Sequence, residues 1–273
     1  MTAILIIRKL YNSYLFLFCD IVIKKRFFIS MKSKYQAFVF DRDGTIVSTR
    51  EDIAKAVNVS LEYHHLPTHS LPERTTFIGN GSVKLIQRAI GMEHQDRFQS
   101  VFDVYYDYYS KHYKDLTHPY DGRIESLKYA KEKGVLLFIY TNKPQDIALD
   151  VRKTFFGTLF TKRVGIPLGG VTKPDPKAFL DQTKEYGLDY SKVAYFGDSV
   201  TDLQTAYNLK IQNRYSVLWG YQSKETLLDY PIQPKTFLSS PLQIKEGQDD
   251  CINRTVCKWK DGDLPVSSGA FRH

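Results

Sequence analysis

The stretch Tyr35-Gln36-Ala37-Phe38-Val39-Phe40-Asp41-Arg42-Asp43-Gly44-Thr45 decides how the rest of the chain is read. A short, nearly unbroken apolar run suits a strand covered on both faces, and this one ends in two carboxylates and a glycine. The pattern recurs. Val135–Tyr140 leads into Thr141-Asn142-Lys143-Pro144, and Lys192–Phe196 leads into Gly197-Asp198-Ser199-Val200-Thr201-Asp202. Leu159–Val164 and Arg214–Leu218 are further candidate strands. Gly122–Lys133, Gln145–Thr154, Asp175–Tyr186 and Val200–Leu209 are candidate helices. In the first of them Ile124, Leu127 and Ala130 recur every three residues and Gly134 supplies a stop. Such alternation predicts an α/β fold, a doubly wound parallel sheet with helices on both faces. Ligands of such sheets bind beyond the carboxyl ends of the strands.

One mouth of the sheet is therefore expected to gather Asp41, Asp43, Thr141 and Asp198. The run Thr172-Lys173-Pro174-Asp175-Pro176, opening a helix, adds Lys173. This set suits a phosphoryl group held through a hard cation. A carboxylate can attack phosphorus only when the repulsion between two anions is offset, and Mg2+ prefers oxygen ligands for that task. Asp41 and Asp198 are the expected side-chain ligands, with the Asp43 backbone carbonyl a third. Thr141 and Lys173 can stabilise the phosphoryl oxygens, and Lys173 is expected to hold Asp41 ionised. Asp43, two residues along, can face the same side as Asp41 and serve as acid, then base. By the same alternation Arg42 is expected to point away. Each motif also has a plainer reading: Lys173 as a solvated loop lysine, Thr141 as a turn residue, Ser199 and Asp202 as a helix capping box.

The ordered set DxDGT, threonine after a hydrophobic strand, KPxP and GDSxxD resembles the four signature motifs of haloacid dehalogenase-type phosphatases. That resemblance implies Asp41 as nucleophile, Asp43 as acid/base, Thr141 and Lys173 as phosphoryl clamps and Asp198 as a ligand of Mg2+. Asp202 is implied to stand one layer outside the ion. The stretch Thr49 to Thr117, helical in pattern, is implied to be a cap inserted after the first strand, with the stripe Phe98, Phe102, Tyr105, Tyr109, Tyr113 as its own core. The expected organisation is an N-terminal extension over 1–31, a core domain over 32–48 and 118–240, the cap over 49–117 and a polar tail over 241–273.

Gly79-Asn80-Gly81, Pro119-Tyr120-Asp121-Gly122, Thr141-Asn142-Lys143-Pro144 and Trp219-Gly220-Tyr221 resemble phosphoglycolate phosphatases. This implies a small phosphorylated metabolite, 2-phosphoglycolate, as substrate. Gly44, Asn80, Gly81 and Asn142 are the expected substrate-binding residues, with the substrate carboxylate near Asn80–Ser82, where glycines open a helix. Sugar-phosphate mutases, pyrophosphatases and nucleotidases share the four motifs. A non-catalytic module is disfavoured by the Asp41/Asp43 pair. Two departures from the family pattern are Arg42, where an apolar residue is usual, and Lys210, near a usual glycine.

Composition narrows the remaining classes. The net charge of +8 does not mark a nucleic-acid binder, because Arg8, Lys9, Lys24, Lys25 and Arg26 against Asp20 put half of it in the first thirty residues. Cys19, Cys251 and Cys257 show neither paired nor zinc spacing, which fits a cytoplasmic setting. His65 and His69 are separated by helix-breaking Pro67, which argues against a zinc site. Leu10 to Cys19 is too short an uncharged run to span a bilayer, and three readings of the extension stay open: a dispensable or non-native stretch before a start at Met31, a membrane-associated anchor, or extra packed structure. A monomer or homodimer is expected.

Overall fold

A computed structural model describes residues 33–71, 77–78, 81–166 and 170–246. The N-terminal extension, Asn80 and everything after Glu246 lie outside the described residues. In chain order the elements are β1 (Ala37–Phe40), β2 (Val47–Ser48), α1 (Arg50–Tyr63), α2 (Gly81–Ile90), α3 (Phe98–His112), β3 (His118–Pro119), α4 (Arg123–Glu132), β4 (Leu136–Pro144) and α5 (Gln145–Phe156). They continue with β5 (Lys162–Ile166), α6 (Lys177–Thr183), β6 (Val193–Gly197), α7 (Val200–Asn208), β7 (Asn213–Val217), α8 (Lys224–Leu228), β8 (Thr236–Leu238) and α9 (Gln243–Glu246).

Six strands form one parallel sheet in the order β5-β4-β1-β6-β7-β8. β1 is buried along its length, and its side chains alternate between two cores. Phe38 and Phe40 join one with Leu137, Ile139 and Phe196, while Ala37 and Val39 join the other with Phe138, Tyr140 and Phe179. The Phe40 and Phe196 rings stack at 4.8 Å. The chain leaves β1 towards β4 and β5 on one side and returns to β6, β7 and β8 on the other. β1 therefore lies at the reversal of strand order, where such sheets open a crevice.

The insertion between β2 and β3 is helical, as expected. Ile53, Val57 and Leu61 of α1 pack with Leu85 and Ile86 of α2 and with Val101, Tyr105 and Tyr109 of α3. Tyr105 and Tyr109 are buried in that core, and Phe98, Phe102 and Tyr113 pack against it, as the stripe predicts. The two crossings into and out of the insertion pair as an antiparallel ribbon, Val47 with Pro119 and Ser48 with His118. Asp52 fastens it: its carboxylate accepts from the Leu116 and Thr117 amides and the Thr117 hydroxyl. Residues 241–246, expected to open a polar tail, instead end in α9, whose Ile244 is buried in the main core. Lys210 takes φ +59, the left-handed conformation that a glycine adopts without strain. Among the described residues no helix is long and apolar enough to cross a membrane.

Candidate active site

The carboxyl ends of β1, β4 and β6 bring Asp41, Thr141 and Asp198 together, and the loop before α6 carries Lys173 to them. Lys173 is buried, with Nζ 2.6 Å from Asp41 Oδ1 and 2.7 Å from Asp202 Oδ1. Carboxylate oxygens of Asp41, Asp198 and Asp202 all lie within 4.8 Å of one another. Asp202 is the most committed of the three. Its Oδ2 accepts from the Ser199 amide and hydroxyl in a capping box, and its Oδ1 accepts from Tyr195 as well as Lys173. The capping box expected of Ser199 and Asp202 is thus present, and the same Asp202 carboxylate also meets Lys173.

Asp198 is cradled rather than crowded. Its Oδ2 accepts from the Tyr221 amide at 2.7 Å, and the Thr45 hydroxyl stands 3.4 Å from Oδ1. A Cβ on Gly44 would come 2.1 Å from Asp198 Oδ2, and one on Gly220 would come 2.1 Å from Asp198 Cβ. Glycine at both positions is what lets this carboxylate sit beside Asp41. Gly44, at φ +82, gives its amide to the Val47 carbonyl, so that donor serves the turn beside Asp198.

Burial dominates the electrostatics of the carboxylates. Burial pushes Asp41 up to about 7, and Lys173 pulls against this while Asp202 and Asp43 push with it. Asp198 is raised well above the carboxylate range by burial, then by Asp202 and Asp41. Burial would lower Lys173, but Asp202 and Asp41 carry it well above its ordinary value. The expected pull of Lys173 on Asp41 towards its ionised form is present but is outweighed by burial together with Asp202 and Asp43, because one ammonium does not balance these buried carboxylates. Their excess negative charge and hard oxygen donors fit Mg2+. Asp41 receives a single donor, on Oδ1, and each Asp198 oxygen receives one, whereas each Asp202 oxygen already accepts two, which leaves Asp41 and Asp198 the better placed to hold the ion.

Asp43 has separate partners. Its Oδ1 accepts from the Thr49 hydroxyl at 2.9 Å and lies 3.2 Å from Arg42 Nε, and its Oδ2 is 3.9 Å from Lys143 Nζ. Burial alone would raise this acid, yet Arg42, then Lys143 and Thr49, bring it below its ordinary value. Arg42 thus does not point away. The chain turns at once after β1, with the Thr45, Ile46 and Val47 amides all donating to the Arg42 carbonyl, so strand alternation stops before Arg42.

A cleft between core and cap is lined by Asp41, Asp43, Thr141, Lys143, Lys173 and, from the cap, Gly81 among others. Asn142 also lines it, but its side chain is a brace: Oδ1 accepts from the Lys173 amide at 2.7 Å. Sequence reasoning missed three contributors. Thr49, Tyr221 and Lys143 each sit in motifs or junctions already quoted, but only the fold shows the Tyr221 hydroxyl bonded to the Thr49 amide and hydroxyl at 2.8 and 2.9 Å.

A family model described as haloacid dehalogenase-like hydrolase matches residues 35–209, which contain all four motifs. The chain belongs to the haloacid dehalogenase-like hydrolases. Among curated members of this family, it is similar to a phosphoglycolate phosphatase of Thiobacillus denitrificans, 29% identical over 63% of this chain and 78% of the relative. The phosphoglycolate phosphatase of Mannheimia succiniciproducens is 29% identical over 65% of this chain and 84% of its own. Among solved haloacid dehalogenase-like folds, a Lactobacillus delbrueckii subsp. bulgaricus protein provisionally described as a phosphoglycolate phosphatase superposes with TM-score 0.73 at 26% identity. That match covers 78% of this chain and 98% of the other.

Proposed function

We propose that the chain is a magnesium-dependent phosphomonoester hydrolase that passes a phosphoryl group through Asp41, with 2-phosphoglycolate as its substrate. The observation that carries this reading is the Lys173 ammonium held between Asp41, at the end of β1, and Asp202, with Asp198 alongside at the end of β6. The names of the relatives support the choice of substrate.

Asp41 and Asp198 hold the ion, with the Asp43 carbonyl as a third protein ligand. Bound there, Mg2+ offsets the repulsion between the Asp41 carboxylate and the phosphoryl oxygens. An Asp41 oxygen attacks phosphorus, the ester P–O bond breaks, and the departing glycolate oxygen takes a proton from Asp43, which is ionised in the free protein and gains that proton when the anionic substrate binds beside it. Asp43, now ionised, takes a proton from a water that attacks the same phosphorus. The acyl phosphate bond breaks, phosphate leaves, and Asp41 is regenerated. The Thr141 hydroxyl and Lys173 orient the phosphoryl oxygens, and Asn142 fixes the backbone that carries Lys173. Gly81 and Ser82 close the cleft from the cap side.

The test is phosphate release with Mg2+ across 2-phosphoglycolate, pyrophosphate, nucleoside monophosphates and hexose phosphates, with Asp41→Asn as control. The highest kcat/KM is expected for 2-phosphoglycolate. Isomerisation of a hexose phosphate without net phosphate release would instead mark a mutase.

A further inference from the structure

The cleft has a second cationic group that the chemistry at Asp41 does not use. Lys143 follows Thr141 by two residues, is buried, and lines the same cleft as Lys173. Its ammonium is only loosely held. The Asp43 Oδ2 oxygen is 3.9 Å away, beyond hydrogen-bond reach, and the Tyr109 ring lies beneath it at 4.6 Å. Asp43 does not bind Lys143 more closely because its other oxygen is already engaged by Thr49 and Arg42.

The region around Lys143 holds two cations, Lys143 and Arg42, against the single carboxylate of Asp43. Arg42 is buried and its Nη1 and Nη2 atoms have no hydrogen-bond partner, and the buried Tyr105 and Tyr109 hydroxyls have none either. Two cations face one carboxylate on this side of the cleft, whereas on the Lys173 side one cation faces three. A buried excess of positive charge is unfavourable until an anion arrives. The two sides are thus opposite in charge balance, one suited to a divalent ion and phosphoryl group, the other to a plain anion.

We infer that Lys143 is the specificity-determining residue that binds a second anionic group of the substrate, a carboxylate carried on the same small phosphate ester. The inference rests on the phosphomonoesterase reading above and deepens it. It puts the anchor for the carboxylate at Lys143 on the core, with Gly81 and Ser82 as the facing wall.

The full chain with Mg2+ is assayed on 2-phosphoglycolate and on ethyl phosphate, the same ester without its carboxylate. The readout is the ratio of the two kcat/KM values. In Lys143→Gln the ratio falls by about 10- to 100-fold, the loss expected for one charge-assisted hydrogen bond, through KM for phosphoglycolate. Lys143→Arg recovers part of the ratio. If the glutamine variant does not fold, the arginine variant carries the test, because a displaced cation must alter KM for phosphoglycolate more than for ethyl phosphate. A ratio unchanged in the variants overturns the inference, as does an equal loss on both esters, which would assign Lys143 to Asp43 alone. A wild-type enzyme that hydrolyses ethyl phosphate as well as phosphoglycolate sinks the substrate reading itself, and the inference with it.

Discussion

Arg42 Nε lies 3.2 Å from Asp43 Oδ1, and the guanidinium is 1% exposed. A cation in permanent contact favours the charged form of an acid. Asp43 must both give and accept a proton in the proposed cycle, so its neighbour sets the pH range in which it can work. In Arg42→Leu the pKa assigned to Asp43 in the kcat/KM profile is expected to rise by about one unit, since one of its two cationic partners is gone. An unshifted profile would show that Arg42 only fills space.

Gly44 is confined by Asp198. A methyl group there would lie 2.1 Å from Asp198 Oδ2, and φ +82 disfavours any side chain. Gly44→Ala is therefore expected to raise the Mg2+ concentration needed for half-maximal activity by about tenfold or more. Titration of activity with Mg2+ checks this. An unaltered requirement would mean that Asp198 does not hold the ion.

Without a divalent ion, the folded-state pKa of Asp41 is raised to about 7 from its ordinary 3.8. A carboxylate whose pKa is raised on folding weakens the fold once it ionises: the penalty is absent below about pH 4 and is complete above about pH 7. Asp198 shifts in the same direction. Mg2+ relieves this repulsion and competes with protons for the same oxygens. Thermal unfolding should show Mg2+ raising Tm more at pH 8 than at pH 5. Equal shifts at both values would contradict the link.

Tyr221 ties the two halves of the site together. Its amide donates to Asp198, while its hydroxyl meets the amide and hydroxyl of Thr49, which in turn donates to Asp43. Tyr221→Phe leaves the Thr49 amide without its partner and is expected to cost about 1–3 kcal/mol in urea unfolding. A loss below about 0.5 kcal/mol would show that the bond is replaced, for instance by water.

The sheet was legible because its central strands are apolar runs with period-two side chains, as Phe38 and Phe40 against Ala37 and Val39 show. β8, three residues at the sheet edge, and the β2–β3 ribbon, two residues a side, are too short to carry a periodic signal. The clustering of Asp41, Asp198, Thr141 and Lys173 was readable because each follows or precedes a recognisable element. Arg42 was misread because its direction is set by a turn, not by strand geometry. Lys143 passed unnoticed since a lysine near a strand end ordinarily points to solvent, whereas here the cap's Tyr109 ring covers it and Asp43 lies beside it. Tyr221 and Thr49 are 172 residues apart, a contact that no local pattern encodes.

The decisive measurement is rapid acid quenching of the enzyme during turnover with radiolabelled substrate and Mg2+, followed by peptide mapping of the label. The label is expected on the peptide containing Asp41, sensitive to hydroxylamine as an acyl phosphate is, and absent in Asp41→Asn. Substrate turnover with no label on Asp41, together with an Asp41→Asn enzyme that still releases phosphate, would contradict the proposed route.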